Sequence, residues 1–320
     1  MDLTRRGFVF GAASFAGAVA SGGLNGFAPL AVRRIRIKVG ASAPFKALHV
    51  SDSHLTFVDS SEKDERKVKL AAARASRMGY GARYLAEAAT TAERERAVLV
   101  HTGDMMDFVS NANLVYAEKT FGAGDWIVCA GNHEYSRYVG EAKEDSAYKS
   151  LSFDRVARHY PNDLTFFSRI IHDVNFVSLD DIYYNFTERQ LALMQREVAK
   201  GLPIVMMCHV PMYVPKHYEA QLRRTNGACA YQTGVPTELV ETWRKERDYS
   251  FQESWRDRRV QQRPDAATLE FVKYMRAQPL LKAVLCGHCH GFWQEPFSKT
   301  ADQIVAPAIF NGEAIIYEVS

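Results

Sequence analysis

Six short apolar runs, each breaking off into Gly, Asp, Asn or His, constrain this chain more than any other feature. They are "FKALHVSDSH", "AVLVHTGD", "DWIVCAGNH", "NFVSLD", "PIVMMCH" and "LKAVLCGHCH". Runs of this length, rich in β-branched residues and closed by turn formers, read as buried strands. Helical stretches lie between them. Lys63 to Arg96 carries an expected break near Gly79 and Gly81, and Glu188 to Lys200 opens on a Thr187–Gln190 capping box and stops at Gly201. Strand and helix in alternation predict an α/β architecture with its polar residues gathered at the carboxyl ends of strands. The tail "QIVAPAIFNGEAIIYEVS" reads as strands joined by an Asn311-Gly312 turn, so hairpins are expected late in the sheet.

At 320 residues, 47% hydrophobic and 24% charged, the chain suits one large domain or a domain with a sizeable insertion. A net charge of +3 excludes a dedicated nucleic-acid binder or a membrane-surface protein as the default. Five cysteines are an odd number at low density, and Cys129, Cys208 and Cys286 end apolar runs, where cysteine packs as a small hydrophobe. The Cys286–Cys289 spacing has no second Cys pair to make a zinc site. The amino terminus, "MDLTRRGFVFGAASFAGAVASGG", sets Arg5 and Arg6 before an apolar run that ends in Ala18-Val19-Ala20. It resembles a twin-arginine export signal over residues 1–20, followed by a linker or strand segment over 21–44. The run is too short and too rich in Gly and Ala for a permanent membrane span, so a periplasmic or secreted protein that uses the twin-arginine export machinery is expected.

Each strand end also carries potential metal ligands: Asp52 and His54 in "SDSH", Asp104 in "GDMMD", Asn132 and His133 in "GNHE", His209 in "CHVP", His288 and His290 in "GHCH". Alone, His209 would be an ordinary structural histidine. Imidazole and carboxylate together suit divalent transition metals such as Mn, Fe or Zn. On an extended backbone Asp52/His54 and His288/His290 would each point one way, so that each pair grips one site.

The ordered set D-x-H, G-D, G-N-H-E, H and G-H-x-H resembles the calcineurin-like metallophosphoesterases, from Ala47 to about Phe292. The resemblance implies a four-layer α/β/β/α sandwich with two mixed sheets over residues 45–320. It also implies two divalent transition-metal ions. Asp52, His54 and His290 would bind the first, Asn132, His209 and His288 the second, and Asp104 would bridge them. A hydroxide shared by the metals would then attack the phosphorus of a small phosphate mono- or diester. His133 would be the general acid at the leaving oxygen, with Asp107 orienting it and favouring its protonated form; Asp107 alone could equally be a helix-start carboxylate. Glu134 would brace the loop. Phe108 and Ala130 stand where protein Ser/Thr phosphatases carry phosphate-gripping arginines, so substrate-contacting arginines must come from elsewhere, with Arg223, Arg224 and Arg137 nearest in sequence.

The segment 213–263, aromatic and dense in arginine, reads by default as a solvated helical face, and alternatively as a cap over the substrate. A nuclease of the same superfamily is the enzymatic alternative, though acidic residues interleave with those arginines. A non-catalytic scaffold would require lost ligands, and none is lost.

Overall fold

The computed structural model describes residues 28–139, 146–245 and 257–320. The expected export signal therefore lies outside the described residues. Two sheets form the centre. The first has the order β1-β11-β2-β3-β4 and the second β5-β6-β7-β8-β10-β9. The strands are β1 (Ala31–Ile37), β2 (Phe45–Val50), β3 (Ala97–His101), β4 (Trp126–Val128), β5 (Phe166–Ile171), β6 (Val174–Leu179), β7 (Ile204–Met207), β8 (Leu281–Cys286), β9 (Trp293–Pro296), β10 (Asp302–Val305) and β11 (Glu313–Val319). β2, β3 and β4 run parallel, as do β6, β7, β8 and β10; β11 is antiparallel to β2, β5 to β6 and β9 to β10, so both sheets are mixed.

Why the strands read as unbroken apolar runs follows from what covers them. One face of each sheet meets the other sheet, through Ala47, Val100, Ile127, Phe176, Val205, Leu285, Ile304 and Tyr317. Their chain neighbours point outward to helices. Leu48, Leu99 and Ile316 pack on Leu85, Ala88 and Ala92, while Met206 and Val284 pack with Met194, Phe271 and Met275. Strands buried on both faces have no polar side to alternate with. Each fully buried Leu, Met or Phe contributes about 1.5–3 kcal/mol. The result is the α/β/β/α sandwich.

The helices start and stop where their local chemistry predicts. Asp64 caps the helix Glu65–Met78, which is followed after the Gly79 break by Gly81–Glu95. The Thr187–Gln190 capping box opens Glu188–Val198. All five cysteines are free and buried, in keeping with a packing role. The tail departs from expectation. Asn311-Gly312 does not close a hairpin, because β10 pairs in the second sheet and β11 in the first. With φ +78°, Gly312 instead turns the chain across from one sheet to the other. The late hairpin is β9–β10. The segment 21–44 supplies β1, which lies parallel to β11 at the edge of the first sheet.

Candidate metal centre

β2, β3, β4, β7 and β8 point their carboxyl ends at one place, and the residue sets that follow them meet there. Asp104 is at the centre and is buried. Its Oδ2 lies 3.5 Å from His54 Nε2 and 3.2 Å from His209 Nε2, while its Oδ1 accepts from the His133 backbone N–H at 2.9 Å. Ligand atoms of Asp52, His54, Asp104 and His290 all lie within 4.8 Å of one another, as do those of Asp104, His209 and His288. Asp104 belongs to both groups. His54 Nε2 and His290 Nε2 are 3.1 Å apart, and His209 Nε2 and His288 Nδ1 are 3.2 Å apart.

This donor set fits cations. Burial opposes ionisation of Asp104, yet His209, His133 and His54 outweigh it and hold the carboxyl well below its usual range. Burial likewise opposes charge on His54 and His209, but the facing carboxylates raise both to about 10. The cluster thus draws positive charge, and a metal would displace those protons. Asn132 Oδ1 supplies a second sign: it is buried at the same cavity with no hydrogen-bond partner. An orphaned buried amide oxygen calls for an explanation, and an ion is one. The outward ring nitrogens are tied down, which fixes which nitrogen faces inward. His54 Nδ1–H donates to Asp107 Oδ1 at 2.8 Å, His209 Nδ1–H donates to the Thr102 carbonyl at 2.7 Å, and His288 Nε2 bonds the Tyr184 hydroxyl at 3.0 Å.

The backbone reaches this arrangement by a route that periodicity does not show. Asp52, His54, Asp104, His288 and His290 all have φ between +44° and +66°, so the paired ligands leave a left-handed turn rather than an extended strand. Such conformations are uncommon outside glycine and cost about 1–3 kcal/mol each. Asp52 and His54 still share a site, whereas His288 and His290 do not: His290 joins Asp52 and His54, while His288 joins His209. Close approach also explains a motif glycine. A Cβ on Gly131 would sit 2.2 Å from Asp104 Oδ1 and 2.4 Å from its backbone nitrogen.

Asp107 has more partners than the expectation named. Its carboxylate accepts from His54 Nδ1 and, at 2.6 and 2.7 Å, from Arg74 Nε and Nη2. His133 Nδ1–H donates to the Asp107 backbone carbonyl at 2.7 Å, and its Nδ1 is 3.5 Å from the nearer carboxylate oxygen. The Asp107 backbone N–H donates to the Leu55 carbonyl at 2.9 Å, which holds the residue beside His54. Glu134 does brace the loops, accepting from the backbone N–H groups of Asp104, Met105 and Gly131 and from the Tyr160 hydroxyl.

Four contributors carry no local motif. Arg74 comes from a helix distant in sequence, and Tyr184 from the turn after β6. Asp181, ending the same "SLDD" stretch, accepts from the backbone N–H groups of His209 and Val210 at 3.0 and 3.1 Å; burial pushes its pKa up to about 7. Thr102 contributes only a carbonyl. Among the proposed arginines, Arg224 lines the cavity, whereas Arg223 pairs with Glu219 on the surface and Arg137 lies beside Asp64 and Tyr138.

The cavity has a volume of about 230 Å³. Asp104, Asn132, His133, His288 and His290 form its floor; Tyr184, Arg224, Tyr231 and Arg258 form its wall. The wall belongs largely to segment 213–263, whose described part holds the helices Pro215–Arg224 and Thr237–Val240 around Tyr218, Val240 and Trp243, and the short helix Arg258–Gln262. Residues 246–256 of that segment lie outside the described residues.

Several solved structures resemble the chain. A dimetal phosphatase from Danio rerio is 15% identical with a TM-score of 0.48, the match covering 84% of this chain and 89% of that one. A phosphopantetheinyl hydrolase from Mycobacterium tuberculosis is 11% identical with a TM-score of 0.38, covering 83% and 91%. A 5'-nucleotidase from Candida albicans is 10% identical with a TM-score of 0.42, covering 88% of this chain and 48% of its own. No curated protein matches the sequence. The family model for calcineurin-like phosphoesterases matches residues 45–292, a span that holds every ligand candidate of the centre. The chain belongs to the calcineurin-like phosphoesterase family and is a metal-dependent phosphoester hydrolase.

Proposed function

We propose that the protein is an exported dinuclear-metal phosphohydrolase acting on small phosphate esters. The observation that carries this is the pair of donor groups sharing Asp104 beneath one cavity. Asp52, His54 and His290 would hold one cation with Asp104, and Asn132, His209 and His288 the second. The bound cations would neutralise phosphoryl charge and lower the pKa of a water nucleophile. Asp104 must be an anion to serve both. His133, with Nδ1–H anchored on the Asp107 carbonyl, keeps Nε2 available to deliver a proton to the leaving oxygen. Segment 213–263, through Arg224, Tyr231 and Arg258, acts as the cap that chooses the substrate.

Elemental analysis and ester hydrolysis test the core of this reading. Asp104→Asn should lose bound metal and lower hydrolysis to background, because an amide lacks the bridging charge. Wild-type activity that persists after complete chelation would overturn the mechanism. Export rests on the Arg5–Arg6 pair and the apolar run behind it. No helix among the described residues is long and apolar enough to cross a membrane. Arg5→Lys with Arg6→Lys should leave the precursor in the cytoplasm on fractionation; normal export in a strain lacking the twin-arginine pathway would refute that address.

A further inference from the structure

We propose that Arg224 and Arg258 form a two-cation wall that receives the phosphoryl oxygen turned away from the metals, so that the enzyme takes phosphate monoesters in preference to diesters. The inference rests on the hydrolase reading above and concerns residues that no motif singles out.

Both guanidinium groups gather on one ring. Arg224 Cζ lies 5.7 Å and Arg258 Cζ 5.8 Å from the centroid of Tyr231, and the Tyr231 ring lies 5.6 Å from that of His288. Tyr231 reaches this place with φ +52°, an uncommon conformation for a bulky residue and one that marks functional sites. Arg224 is tied to the ligand loop itself, donating Nη1–H to the carbonyl of Cys289, the residue between His288 and His290, at 3.3 Å. Arg258 is 4% exposed and donates Nη1–H to Gln261 Oε1 at 2.9 Å; its helix packs on the turn Ile182–Tyr184, whose Tyr184 hydroxyl bonds His288. Cations near an aromatic face are favourable.

The charge of the substrate decides which ester this wall accepts. A monoester dianion has three non-bridging oxygens. If the cations below take two, the third retains charge and needs strong donors, which guanidinium groups supply. In a diester that position carries a second organic group. It would press against two guanidinium groups, strip them of water and offer no charged acceptor in return.

The test uses the metal-loaded full chain with p-nitrophenyl phosphate and bis(p-nitrophenyl) phosphate, and calorimetric titration with inorganic phosphate. Wild type should show the higher kcat/KM on the monoester. Arg224→Ala and Arg258→Lys should lower monoester kcat/KM by about 10- to 100-fold relative to the diester, the loss of one charge-assisted hydrogen bond. Phosphate affinity should fall by a similar factor while metal content stays at the wild-type level. Arg224 is exposed, and lysine at 258 keeps the charge and the stem, so neither variant needs the fold to be rebuilt. Equal losses on both esters, unchanged phosphate affinity, or a wild-type preference for the diester would overturn the proposal. A metal-loaded wild type inert on both esters would instead overturn the hydrolase reading beneath it.

Discussion

Replacing Asp107 by Asn separates two roles that the same carboxylate could play. One oxygen of Asp107 accepts from His54 Nδ1 and Arg74 Nη2, and the other accepts from Arg74 Nε. Burial works against the charge, but Arg74 and His54 outweigh it and hold the carboxyl well below the usual carboxylate range. In the amide, the remaining oxygen can still accept from His54, while the new NH₂ faces the Arg74 Nε–H. Two donors repel, and Arg74, with a side chain 23% exposed, can turn to water. His54 then keeps a neutral acceptor in place of an anion, roughly half the strength of the original bond. Mutating such a partner of a metal-ligating histidine typically costs about 10- to 100-fold in metal affinity, which is about 1.4–2.7 kcal/mol. Competition against a chelator of known affinity measures it. The reference variant is His133→Ala, which should keep its metals and slow alkyl esters by about 10²–10⁴-fold while sparing nitrophenyl esters, whose leaving group needs no proton. Asp107→Asn should instead lose metal, and saturating metal should restore both ester types together. Unchanged metal affinity with a loss confined to alkyl esters would refute the argument and return Asp107 to the service of His133.

Two further outcomes follow from packing and burial. Gly131→Ala should fold yet bind less metal, because its Cβ cannot coexist with Asp104 Oδ1 at 2.2 Å; full metal content with wild-type activity would show that the loop has room. His217 is buried against Trp293, receives a hydrogen bond from Gln221 Nε2, and has its pKa lowered to about 4 by burial. The unfolded chain therefore binds the extra proton between pH 6.5 and about 4, so the stability due to neutral His217 is present above pH 6.5 and lost as pH falls. The difference in unfolding free energy between wild type and His217→Gln should change by about 1.4 kcal/mol per pH unit in that window. A pH-independent difference in urea unfolding would contradict it.

How much of this was legible in advance depended on whether the signal was local. The doubly buried strands announced themselves as apolar runs, and helix ends were marked by Gly79 and by the Thr187–Gln190 capping box, since capping and burial act over a few residues. The metal ligands were equally visible, because a cation needs N and O donors and these lie at strand ends in short motifs. What stayed hidden was long-range. Nothing adjacent to Asp107 reveals that Arg74 claims its carboxylate, 33 residues away. Nothing around Asn311-Gly312 tells a hairpin from a crossing between sheets, since one left-handed glycine serves either turn.

By itself, then, the sequence determined an α/β architecture, the strand-end positions of Asp52, His54, Asp104, Asn132, His209, His288 and His290, and, through the family that their ordered motifs resemble, the layered sandwich and the phosphoesterase chemistry. Only the tertiary structure decided that the paired ligands stand on left-handed turns, that His54 and Arg74 share the Asp107 carboxylate, and that Arg224 and Arg258 meet at Tyr231 above the centre. The physical reason is that residue type and local spacing are properties of a few consecutive residues, whereas partner choice depends on where the packing of two sheets and their helices brings distant side chains together.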